Sequence, residues 1–153
     1  MTEDERSAVR DDLMADHVPY EVWMMRATHD GIRSGTVLPG VLTNACIESF
    51  AIHARSLVCF FNGEDGSDAA DYATNYAPFP EGRIPKRLTA KLNQQTAHIT
   101  ERRFNTVEEK LNGHDIRELR ELVDAEVARF LDHMQPHYRA LWDTKNRHLR
   151  HYG

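Results

Sequence analysis

Residues 44–61, NACIESFAIHARSLVCFF, carry apolar side chains around most of a helical circumference. A helix of that kind has to be surrounded by other elements, so it dictates a layered helical fold. On a helical wheel Leu42, Cys46, Phe50, His53, Leu57, Phe60 and Phe61 share one broad face, and Ala45, Ile47, Ala51, Ile52 and Val58 fill much of the rest. Pro39 suits the first turn of this helix and Asn62-Gly63 suits its end, which predicts a span of 39–62. No segment shows period-two alternation, so no strand is expected.

Helix signals recur along the rest of the chain. Thr2 and Glu5 form a capping box that opens a helix over 3–16. Pro19 fits the first turn of a separate helix over 19–33. Pro85 opens another over 86–104, with Leu88, Leu92 and Ile99 as its apolar stripe. Asp115 with Glu118 predicts the start of a helix over 116–134, in which Ile116, Leu119, Leu122, Val123, Val127, Phe130, Leu131 and Met134 repeat at the helical period. Pro136 breaks or kinks it, and 137–149 reads as a last segment. Residues 63–85 are irregular and rich in Gly, Pro, Asp and Asn, with a short helical turn expected over 68–76. Tyr72, Tyr76 and Phe79 should pack that loop onto the body. The expectation is one all-α domain over 1–153, a bundle of about five to six helices.

Composition narrows the function. The chain has 153 residues and a formal net charge of −5, which argues against wholesale nucleic-acid binding. No apolar run approaches the roughly 20 residues that span a bilayer. The acidic N-terminus resembles neither a secretory signal nor a transit peptide, so a cytoplasmic setting is expected. Cys46 and Cys59 fall in one helix about 20 Å apart, beyond disulfide reach. The nine histidines are scattered. His133 and His137 are four apart, but Pro136 intervenes and no carboxylate completes a triad. Neither a metal nor a cofactor is expected.

Charge is unevenly spread. Residues 83–103 hold Arg83, Lys86, Arg87, Lys91, Arg102 and Arg103 against Glu101 alone, while carboxylates collect in 3–16 and 64–71. Lys91, Gln94, His98 and Arg102 fall at spacings of three, four and four, on one flank of one helix. Such a face can hold a phosphate, with His98 as general acid or base and Lys91 and Arg102 as the cations. It can equally be a solvated face, with His98 bonded to a neighbouring helix. His53 reads first as a hydrogen-bonded core histidine. Its alternative is to reach the fourth helix and orient His98 or Asn93. Glu48 and Arg55 read as ion-pair partners of another helix, or as the rim of an interface.

The segments IESFAIHARSLVCFF and KLNQQTAHITERR resemble small bacterial helical proteins of the HEPN-like kind. The resemblance covers about 44–103 and implies a helical bundle, often dimeric. Many of its members are metal-independent ribonucleases of toxin–antitoxin and defence systems. Their motif is an Arg, often followed by a polar residue, then a spacer and a His. His98 matches the histidine and Asn93 the polar residue, while Lys91 stands where the motif has Arg. The resemblance implies RNA or a nucleotide phosphate as ligand, and a homodimer whose two motifs converge. The apolar perimeter of the 39–62 helix also predicts a homodimer. The substitution of Lys for Arg supports a second reading, a non-catalytic interaction or antitoxin-like subunit with a protein partner.

Overall fold

The computed structural model describes residues 2–34, 40–64, 68–79, 84–96 and 110–151. These form an all-α bundle. Among the described residues there is no strand, only one isolated antiparallel bridge between Ala73 and Met134. No described helix is long and apolar enough to cross a membrane.

The first two expected helices are one. Helix α1 (Glu3–Asp12) runs through a π turn (Leu13–His17) straight into α2 (Val18–Arg33). Thr2 Oγ1 accepts from the Glu5 N–H at 3.2 Å and Glu5 Oε2 accepts from the Thr2 N–H at 2.6 Å, closing the capping box. The sequence placed a break before Pro19, and the structure has none. Proline removes a backbone donor and its ring clashes with the carbonyl one turn earlier. The wide turn just before it, with the Val18 N–H bonded to the Leu13 carbonyl, makes room for that ring. Met14, Val18, Val22 and Met25 then form one buried stripe.

Helix α3 (Gly40–Asn62) packs against α2, α4 (Lys86–Thr96) and α5 (Gly113–His133). Its second half is the centre of the core, where Phe50, Ala51, Ala54, Leu57, Val58, Phe60 and Phe61 are buried. Its first half is a correction to the expected all-round burial. Leu42 and Ala45 are exposed and Cys46 is only half-buried, and further along Ile52 is exposed as well. Gly63, at φ +66°, ends the helix in the left-handed conformation that glycine adopts without strain.

The loop after α3 does pack on the body. A 3₁₀ turn (Ala69–Tyr72) starts on Asp68, whose side chain accepts the Ala70 N–H at 2.8 Å. The Thr74 N–H bonds the His133 carbonyl at 2.9 Å and the Gln135 N–H bonds the Tyr72 carbonyl at 3.0 Å. Tyr72 and Tyr76 are buried.

Helix α4 buries Leu88 and Leu92; its expected continuation through Ile99 to residue 104 lies outside the described residues. Helix α5 begins one turn before the expected Asp115–Glu118 signal. Asn112 is the cap, accepting the His114 and Asp115 N–H groups at 2.9 Å each, and Asp115 answers by accepting the Asn112 N–H at 3.2 Å. Its buried residues include Ile116, Leu119, Val123, Val127 and Phe130, as the period predicts. Pro136 is in the first turn of α6 (Pro136–Leu149), which buries Trp142 and Leu149.

Candidate functional site

The flank of α4 was the sequence-based site, and the structure engages its Lys91 within the fold. Lys91 Nζ lies 2.6 Å from Asp115 Oδ2. The Asp115 side chain is only 4% exposed and also receives Arg87 Nη1 at 3.0 Å. Arg87 bonds Glu118 with its other nitrogen. Asp115 sits in the first turn of α5, where the helix dipole favours a carboxylate, and the buried carboxylate in turn draws the cations of α4. The expected phosphate-binding Lys91 is therefore the counter-ion of a capping residue.

Burial alone would push the Asp115 carboxyl up. The hydrogen bonds from Lys91 and the Asn112 N–H, with the Lys91 and Arg87 charges, outweigh it and hold the group below the usual carboxylate range. A depressed native value means that Asp115 contributes stability above its unfolded-state pKa of about 4, and that this is lost as pH falls through the native value. Lys91→Ala should cost roughly 3 kcal/mol near pH 7. The gap between wild type and Asp115→Asn in urea melts should narrow as pH falls below about 4. A Lys91→Ala protein as stable as wild type would show that the pair is not structural.

The other named residues divide. Asn93 Oδ1 accepts Arg55 Nε at 2.9 Å across the α3–α4 seam. His53 does not reach α4. Its Nδ1 faces Glu21 Oε2 on α2 at 2.7 Å, and its ring meets Tyr20 edge-on at 5.8 Å. The α3 side chain that crosses to α4 is thus Arg55, which bonds an amide there rather than forming the expected ion pair. Gln94 is half-buried and Glu48 is exposed. His98 and Arg102 lie outside the described residues. Beside Arg55 a cleft of about 250 Å³ opens against the π turn, with His17, Glu21, Cys59 and Glu64 on its rim. Among the described residues no group of three or more metal-ligating side chains comes together. Cys46 and Cys59 are both half-buried, and Cys59 Sγ lies 3.5 Å from Glu64 Oε2.

No family model, curated protein or solved structure matches this chain.

Sequence reasoning passed over two polar clusters. One joins Tyr76, Glu126 and Arg129 under the loop. The other joins Arg26, His29, Asp30, Arg120 and Asp124 between α2 and α5. The i,i+4 pair Arg120–Asp124 and the i,i+3 pair Glu126–Arg129 were readable in the α5 sequence, but their partners on other elements were not.

Proposed function

We propose that the protein is a helical interaction subunit that works as a homodimer, joined through α3. The observation that carries this reading is the exposed side of that helix. Val41, Ala45, Glu48, Ile52 and Arg55 recur at spacings of four, three, four and three and are all exposed. Val41 is 74% and Ile52 52% exposed, and Leu42 lies beside them at 49%. Two large apolar side chains exposed on one helix stripe, with Leu42 exposed a step to its side, are more than scattered surface residues. The charges are self-complementary. Two copies laid antiparallel about Ile52 set Glu48 of each beside Arg55 of the other, as a two-fold interface requires. With Lys91 and Asn93 engaged inside the molecule, an interaction role in a cytoplasmic assembly fits better than catalysis on the α4 flank.

Light scattering at micromolar concentration should give a dimer. Ile52→Glu should give a folded monomer. Glu48→Arg should weaken the dimer at least tenfold, and adding Arg55→Glu should restore it. A monomeric wild type, or a double variant no better than the single one, would remove this reading.

One contact favours the RNA-directed alternative. Arg55 is exposed and placed on Asn93, so it supplies next to the motif's polar residue the guanidinium that Lys91 does not. On the HEPN-like reading, His98 is then the acid or base of a metal-independent cleavage. His98→Ala and Arg55→Ala should each abolish cutting of single-stranded RNA in EDTA while circular dichroism is unchanged. Wild-type protein that leaves RNA intact at low salt sinks this alternative and leaves the dimer reading standing.

A further inference from the structure

The C-terminal half of α2 and the first half of α5 leave a cleft of about 380 Å³ between them, lined by His29, Arg33, Arg117, Arg120, Glu121 and Asp124. It shares no residue with the exposed stripe of α3. Three of its six lining residues are arginines on two different helices.

The carboxylates nearby are unequal. Asp124 is clamped, with Oδ1 receiving Arg26 Nε at 2.9 Å and Oδ2 receiving Arg120 Nε. Its charge is therefore answered within the protein. Glu121 is exposed at the edge. Asp30 is different again: its side chain is 71% exposed, yet Oδ1 folds back to lie 3.0 Å from His29 Nδ1 and 3.6 Å from Arg120 Nη1. An exposed aspartate has water available on every side. Its return to a buried imidazole and a guanidinium marks a place where an oxyanion is favoured.

The inner wall of that place is buried. The His29 side chain is 8% exposed and its ring lies 6.2 Å from that of Phe50. Its Nε2 has no hydrogen-bond partner among the described residues. Nδ1 lies 3.0 Å from Asp30 Oδ1 and 3.4 Å from Arg120 Nη1, so it donates to the carboxylate in one tautomer and accepts from the guanidinium in the other. Arg120 is fixed by Asp124. Arg33 and Arg117 also line the cleft and are exposed.

We propose that this cleft binds a small phosphate-bearing molecule, which displaces the Asp30 carboxylate from His29 and Arg120 and is closed over by Arg33 and Arg117. A terminal phosphate has three oxygens and up to two charges, so it can engage more guanidinium forks than one aspartate can. The ligand is small because the site is concave and the chain carries a net charge of −5, which repels an extended polyanion beyond the cleft. The proposal does not depend on the dimer.

The probes are inorganic pyrophosphate and ADP, titrated calorimetrically into the full chain. Saturable binding at one site per chain is expected for at least one of them. Arg33→Ala and Arg117→Ala should each weaken it about tenfold, the loss expected for one charge-assisted fork. Asp30→Asn should strengthen it several-fold by removing the tethered competitor. Arg147→Ala, the same charge change on exposed α6, should leave it within twofold. Binding of ADP alone with this pattern assigns the site to a nucleotide, and binding of both assigns it to the phosphate group. The proposal is overturned if neither probe binds saturably, if Arg147→Ala weakens binding as much as Arg33→Ala, or if Asp30→Asn weakens it.

Discussion

Replacing Phe130 with alanine should lower the unfolding free energy by about 3–5 kcal/mol. Phe130 is fully buried. Its ring centroid lies 5.6 Å from that of Phe60, 5.7 Å from Phe61, 5.5 Å from Tyr76 and 6.4 Å from Trp142, three of them within 20° of perpendicular. One side chain on α5 thus joins α3, the loop and α6. Its removal leaves a cavity bounded by large rings on separate elements, which cannot all close in together. A domain of this size is stable by only about 5–15 kcal/mol, so the variant should sit near the edge of folding. Urea denaturation with a loss under 1 kcal/mol would show that the ring cluster is not the keystone of the core.

Glu126→Ala should have an effect of similar size, about 3–5 kcal/mol, by a different route. Its carboxylate, 5% exposed, accepts from the Tyr76 hydroxyl, from the Phe79 N–H at 3.2 Å and from Arg129 at 2.8 Å. Arg129 also stacks over the Tyr76 ring at 4.7 Å and bonds the Ala77 carbonyl. Burial and then the bond to Glu126 raise the Tyr76 phenol far above its ordinary value, so it stays protonated and donating. Truncation leaves a phenol, an amide and a guanidinium without their acceptor. Residues 68–79 should then become the first site of proteolysis. Glu126→Gln keeps an oxygen for Tyr76 and Phe79 but loses the charge facing Arg129, and should cost less. Equal losses in the two variants would mean that the charge facing Arg129, rather than the oxygens offered to Tyr76 and Phe79, holds the clamp.

The features legible in the sequence were local ones. The stripe of α5 from Ile116 to Phe130 could be read because period and burial go together when one face meets the core. The Thr2–Glu5 box and the Gly63 stop could be read because their partners lie within a few residues. Asn112 was legible too, since Asn outranks most residues as a cap and Asp115 stands three positions on. Asp115 was taken as the cap itself, which displaced the start of α5 by a turn. What failed needed packing order. Nothing near Lys91 announces that a carboxylate 24 residues later will be buried against it. Nothing near His53 announces Glu21. Periodicity also cannot say which stretch of an apolar helix lacks a neighbour, and so Leu42 was placed on the core face although its side chain is 49% exposed at the start of α3.

The π turn gives one covalent helix two mechanical regimes. Residues 3–33 form a single rod about 46 Å long at the usual rise. Beyond Leu13 the rod is anchored by buried methionine and valine side chains, which ionic strength barely touches. Ahead of it, α1 buries nothing. It is tethered by the exposed pairs Arg10–Asp71 at 3.7 Å and Asp11–His137 at 2.8 Å. Pairs of that kind are weak and fade as salt rises. The ten residues of α1 therefore behave as an outrigger, docked in dilute buffer and fraying in concentrated salt, while the same rod a few residues further on is as fixed as the core itself.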